Sequence, residues 1–259
     1  MDLFVNPEAA VNPETVVNPE PSRGKVYLVG AGPGELRHLT LAAQDCLRQG
    51  EVLVYDALAD DRLHSLVSPT CQLIQVGKRG GQPSTPQAEI NALLVDHCRR
   101  GQQVVRLKSG DPFIFGRALA EIQALTAANC AFEVIPGLSS ALTAPLLAGI
   151  PLTDPVLSRG FGVFTAHDPD ALNWAAIAAI DTLVFLMGGQ QLEEIIRQLL
   201  RHHRSQHTPI ALIRWASQPQ QQVWTGTLLT LVQTLGRTPR SPCVIVVGEV
   251  VRLREFMGG

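Results

Sequence analysis

The sequence is short of charge, of aromatic rings and of paired cysteines. Asp, Glu, Lys and Arg make up 17% of the 259 residues, and Phe, Trp and Tyr 5%. A formal net charge of −2 leaves no general positive excess for a polyanion, which argues against nucleic-acid binding. The five cysteines, at 46, 71, 98, 130 and 243, include no CxxC pair. A zinc knuckle and a disulfide scaffold are thereby disfavoured, reduced thiols are expected, and no metal site is expected. The apolar runs are strand-sized, too short for a transmembrane helix, so no membrane partner is expected. The start lacks the basic and apolar segments of a secretory signal, and a cytoplasmic location is expected. Instead, Val-Asn-Pro-Glu recurs at 5–8, 11–14 and 17–20. Such a proline-punctuated stretch cannot build a packed core, and residues 1–23 are expected to be a disordered tail.

Beyond the tail the chain is rich in apolar residues, 46% overall, enough for a full core. Short apolar runs end in Gly/Pro loops and alternate with helical spacing. Strands are expected at 26–29, 52–55, 72–76, 103–107, 132–135, 162–166, 182–186, 210–213, 222–225 and 244–247. Helices are expected at 39–49, 86–100, 138–149 and 191–202. Continuous apolar strands between helices indicate a mostly parallel, buried sheet. The stretch 222–225 alternates polar and apolar, which points to an antiparallel element. The fold class is α/β, with two α/β domains of mostly parallel or mixed sheets and a ligand cleft between them. Their expected bounds are 24–137 and 138–259.

The loop Gly30-Ala31-Gly32-Pro33-Gly34, with Asp56 after the next strand, invites a dinucleotide reading. Its details argue otherwise. Glu35 stands where the third glycine of GxGxxG belongs, and Pro33 removes an N–H from the phosphate-facing turn. A ligand without phosphates, such as an adenosine carrying an amino acid, suits the loop better.

Several ordered blocks resemble one family. These are residues 29–34, Val54-Tyr55-Asp56, Val76-Gly77-Lys78-Arg79, residues 106–117, Pro136-Gly137 and residues 246–250. They resemble the uroporphyrinogen-III C-methyltransferases of the tetrapyrrole methylase superfamily, over residues 25 to about 254. The resemblance implies two α/β domains, a homodimer, and S-adenosylmethionine (SAM) bound in the cleft as methyl donor. It implies methylation of uroporphyrinogen III at C2 and C7 to precorrin-2, which feeds siroheme and cobalamin pathways.

The resemblance also implies site residues. Donor contacts map onto Pro33, Ser109, Gly110, Asp111, Ile114, Ser139, Ser140, Met187 and Ala216. Asp111 follows a strand, where open α/β sheets bind ligands, although an Asp there can also be a helix N-cap ahead of Pro112-Phe113. Acid and base roles map onto Asp56 and Lys78: a proton must leave the methylated pyrrole, and a carboxylate can take it. Arg79, Arg106, Lys108, Arg117 and Arg159 lie beside the motif loops and are expected to supply a basic rim for a substrate with eight carboxylates. Five stretches depart from the family pattern: Glu35, Ser109, Ser139-Ser140, Ala166 and Arg214-Trp215-Ala216-Ser217. Ser109 matters most, because a non-glycine residue tolerates positive φ poorly. A sister methylase for a later corrin intermediate, a nucleotide-dependent oxidoreductase and a non-catalytic relative are the alternatives.

Overall fold

In the computed structural model, residues 24–56, 62, 65–77 and 85–257 are described. The expected tail, Lys78 and Arg79 lie outside the described residues.

Five strands form the first sheet: β1 Lys25–Gly30, β2 Val52–Tyr55, β3 Gln72–Gln75, β4 Gln103–Lys108 and β5 Ala131–Ile135. Their order is β3-β2-β4-β1-β5, and all pairings are parallel. Helices α1 Leu41–Gln49, α2 Gln87–Arg99 and α3 Ala118–Ala127 cover its two faces. The alternation of side chains sorts the strands between them. Val29, Leu53, Val105 and Leu107 pack on the α1 side with Ala43 and Leu47, while Val26, Val52, Val54 and Val104 pack on the other side with Leu94 and Leu125. A strand buried on both faces has no solvent side, which explains the continuous apolar runs.

The second sheet comprises β6 Phe161–Thr165, β7 Thr182–Leu186, β8 Pro209–Arg214, β9 Gln222–Thr227 and β10 Cys243–Val247, in the order β6-β7-β10-β8-β9. The β6–β7 pairing is parallel, and β10 runs antiparallel to both β7 and β8. The expected antiparallel element is β9, paired with β8. Helices α5 Trp174–Ile177, α6 Leu192–Arg201 and α7 Leu231–Leu235 cover one face around Phe185 and Ile245. The other face packs on α4 Ser140–Leu147 and a 3-10 helix over Glu249–Met257. Thus α4, which follows β5 directly, belongs by packing to the second sheet. Among the described residues no helix is long and apolar enough to cross a membrane.

Candidate active site

Because β1, β4 and β5 are adjacent and parallel, their carboxyl ends deliver three loops to one edge of the sheet. Backbone bonds and glycines pin these loops together. Gly110 N donates to Gly32 O at 2.9 Å, and Gly32 N to Gly110 O at 3.1 Å. A Cβ on Gly137 would stand 2.3 Å from Gly110 O and 2.6 Å from the Cα of Gly30. No side chain fits there, so the approach of the three loops depends on glycine at 30 and 137. Gly110 takes φ +70° and lies open toward the start of α4, where its Cβ would meet Ser139 Cα at 3.9 Å. Ser139 caps that helix, its Oγ accepting from Ala141 N.

In the second loop Gly110 takes positive φ, as Phe115 and Arg117 do farther along, and Ser109 does not. The serine is therefore unstrained, and the concern raised by its replacing a glycine does not arise. Asp111 does more than was expected of it. Its Oδ1 accepts from Phe113 N at 2.8 Å and its Oδ2 from Gly137 N at 3.2 Å, so one carboxylate caps the turn and ties the second loop to the third. Ile114 is 44% exposed in that turn.

The second sheet brings its own loops to this crevice. β7 and β8 run the same way, with β10 between them, so Met187 and Ala216 lie at one edge. The loop after β8 touches the loop after β1: Ser217 Oγ accepts from Glu35 N at 2.9 Å, beside Pro33. Met187, Trp215 and Ser217 hold φ of +56°, +52° and +68°, a conformation non-glycine residues adopt at a cost and one that clusters at functional sites. Sequence reasoning missed Ser217 and the Gly30–Gly137 contact; neither position is marked by residue type alone.

Three of the expected rim cations are corrected. Arg106 and Lys108 are two apart on β4 and therefore share a face, and that face lies under α3. Both are 3% exposed, and they are ion-paired with Glu121, which is fully buried. Arg106 Nε lies 2.9 Å and Lys108 Nζ 2.8 Å from Glu121 Oε1. Burial foremost, with the Arg106 charge behind it, pushes the Lys108 ammonium below its usual range, against the pull of Glu121. Arg159 precedes β6, so it sits at the opposite edge of the second sheet from Met187 and Ala216. Arg117 is exposed at the start of α3 with φ +57° and keeps its place as a candidate. Asp56 ends β2 on the Arg106 side. Its Oδ1 accepts from Arg106 Nη2 at 2.8 Å, and its side chain is 34% exposed. Glu121 was missed because α3 is nearly all apolar and gave no helical periodicity. The available signal was the two same-face cations on a buried strand, which require an acid. Among the described residues no group of three or more His, Cys, Asp or Glu could hold a metal ion.

Residues 25–232 match the family of Tetrapyrrole (Corrin/Porphyrin) Methylases. A uroporphyrinogen-III C-methyltransferase of Synechococcus elongatus is 60% identical over 233 residues, covering 90% of this chain and 96% of that protein. A siroheme synthase of Edwardsiella ictaluri is 45% identical over 235 residues, covering 90% of this chain and 51% of that protein, so the chain spans about half the length of this relative. Among solved structures, the uroporphyrin-III C-methyltransferase of Thermus thermophilus complexed with S-adenosylhomocysteine superposes with a TM-score of 0.77 at 36% identity, over 89% of this chain and 100% of that one.

Proposed function

This chain belongs to the tetrapyrrole methylases, and we propose that it transfers methyl groups from SAM to C2 and C7 of uroporphyrinogen III, giving precorrin-2. The observation that carries this reading is the 60% identity spread over 96% of a uroporphyrinogen-III C-methyltransferase. That likeness covers 90% of this chain. The likeness to siroheme synthase supports a product destined for siroheme, and only about half of that protein has a counterpart here.

The crevice suits the donor. Backbone groups approach closely at Gly30, Gly110 and Gly137. The polar groups nearby are hydroxyls and a carboxylate rather than a phosphate cradle, and Glu35 would repel phosphate. Pro33, Ser109, Gly110, Asp111, Ile114, Ser139, Ser140, Met187 and Ala216 would hold SAM, whose sulfonium supplies an electrophilic methyl group. What the chain adds is placement and exclusion of water between two sets of loops. Asp56, partly exposed after β2, would take the proton that the cationic macrocycle loses after methylation from a bridge carbon beside the methylated ring, since the methylated carbon itself becomes quaternary and carries no hydrogen, with Lys78 as its proposed partner in proton transfer. Arg79 and Arg117 would meet substrate carboxylates.

We divide the chain into two domains, 24–137 and 138–259, a reading supported by the packing of α4 on the second sheet. A homodimer is supported by exposed leucines on α4 and two residues before it: Leu138, Leu142 and Leu146 are 44%, 52% and 74% exposed at spacings of four. The test of the function is incubation of the purified protein with uroporphyrinogen III and SAM, with mass detection of the tetrapyrrole. A dimethylated product is expected. An unchanged tetrapyrrole, together with turnover of a later corrin intermediate, would overturn the reading.

A further inference from the structure

Four charged side chains, Lys108, Glu121, Arg106 and Asp56, form a row that begins in the core and ends at the carboxyl edge of the first sheet. Three members are sealed, with side chains 4%, 0% and 3% exposed, and only the last, Asp56, opens to solvent at 34%. The row is charge-balanced, two cations against two anions. Its links are short: Lys108 Nζ to Glu121 Oε1 and Oε2 at 2.8 and 2.9 Å, Arg106 Nε to Glu121 Oε1 at 2.9 Å, and Arg106 Nη2 to Asp56 Oδ1 at 2.8 Å.

Stability does not call for such a row, since apolar side chains of similar volume commonly serve a core as well or better. What ions add is direction. A guanidinium is a rigid planar fork, so fixing its Nε fixes where its Nη atoms point. Glu121 fixes Nε, and Lys108 holds Glu121 from its other side. Arg106 Nη1 also donates to Leu107 O at 3.0 Å and reaches Val54 O at 3.5 Å, two residues before Asp56. The fork therefore grips both the strand leading to Asp56 and its carboxylate.

We propose that Arg106 and Glu121 are positioning residues for Asp56: Glu121 sets the plane of the Arg106 guanidinium, and that plane sets the orientation of the Asp56 carboxylate. The proposal rests on the reading of Asp56 as the proton acceptor for methyl transfer. Removing Glu121 alone would strand two buried cations, so the test removes one charge of each sign.

The paired variant Lys108→Met/Glu121→Gln is compared with Asp56→Asn, with the two combined, and with the unaltered protein. Each is measured for kcat and KM on uroporphyrinogen III and for S-adenosylhomocysteine affinity by calorimetry. Expected for the paired variant is a fall in kcat of up to about 100-fold, with KM and S-adenosylhomocysteine affinity nearly unchanged. Adding Asp56→Asn to it should cost no more than Asp56→Asn alone, because both act through one carboxylate. Multiplicative losses, an undiminished kcat in the paired variant, or an Asp56→Asn protein as active as the unaltered one would overturn the proposal. Absence of methyl transfer in the unaltered protein would instead overturn the functional reading beneath it. Should the paired variant fail to fold, Arg106→Lys keeps the charge but loses the fork, and the same non-additivity with Asp56→Asn is required of it.

Discussion

The first sheet runs all its strands in one direction, whereas the second sets β10 against both neighbours. Their interiors differ as well. The α3 side of the first sheet buries Arg106, Lys108 and Glu121, while the α6 side of the second buries Phe185, Leu199, Leu212 and Ile245 around apolar contacts. Parallel strands gather their loops at one edge, and in the first sheet those loops are pinned by glycine backbone. The second sheet supplies bulk apolar burial and three non-glycine residues held at positive φ on the facing edge. The glycine-pinned part of the crevice thus lies in the first half, and the aromatic core around Phe185 in the second.

The comparison can be broken most forcefully in the second core. Phe185 is fully buried, with ring centroids 5.7 Å from Trp174 and 5.8 Å from Phe164. Phe185→Ala is expected to cost about 3–5 kcal/mol in urea denaturation, with S-adenosylhomocysteine affinity preserved in the folded fraction. Gly137→Ala comes next. Its Cβ would force three backbone segments apart, costing about 1–3 kcal/mol, and here the affinity for S-adenosylhomocysteine should fall as well. A Phe185→Ala protein with weakened affinity, or a Gly137→Ala protein with intact affinity, would contradict that contrast.

A smaller effect concerns pH. Burial pushes the Cys243 thiol from the ordinary 9.0 up to about 12, against the pull of Arg214 and Arg240. Unfolded chains lose this proton from about pH 9 while the fold retains it. The folded state is therefore favoured below pH 9 and loses stability as pH rises toward 12. Denaturation midpoints across this range should flatten in Cys243→Ala, by about 1 kcal/mol at pH 10. The smallest effect is expected at Ser109. Since the positive φ belongs to Gly110, Ser109→Gly should change stability by no more than about 0.5 kcal/mol and leave donor affinity unchanged.

The strands were legible because most are short apolar runs, many of them stopped by glycine or proline, and β9 was legible as antiparallel because one of its faces is half-open. The direction of β10 was not. A strand buried on both faces, as Cys243–Val247 largely is, carries no periodicity that distinguishes parallel from antiparallel. The same physics hid part of the site. Arg106 and Lys108 stood in the right motif, but whether a strand face meets solvent or a helix depends on its neighbours, and α3 left no amphipathic trace. Arg159 was misplaced because its edge follows from the direction of β6. By contrast the crevice loops were visible as glycine clusters, because close backbone approach demands that residue type. The donor contacts proposed at Met187 and Ala216 came from family resemblance alone.

The donor is proposed to sit where the glycine-pinned loops of the first sheet face the loops of the second. Amide hydrogen exchange with and without S-adenosylhomocysteine tests this placement most directly. The account predicts protection gained together at residues 31–34, 109–114, 137–140, 187–189 and 215–218, with little change around Phe185 and α6. Protection centred on another surface, or confined to one sheet, would contradict it.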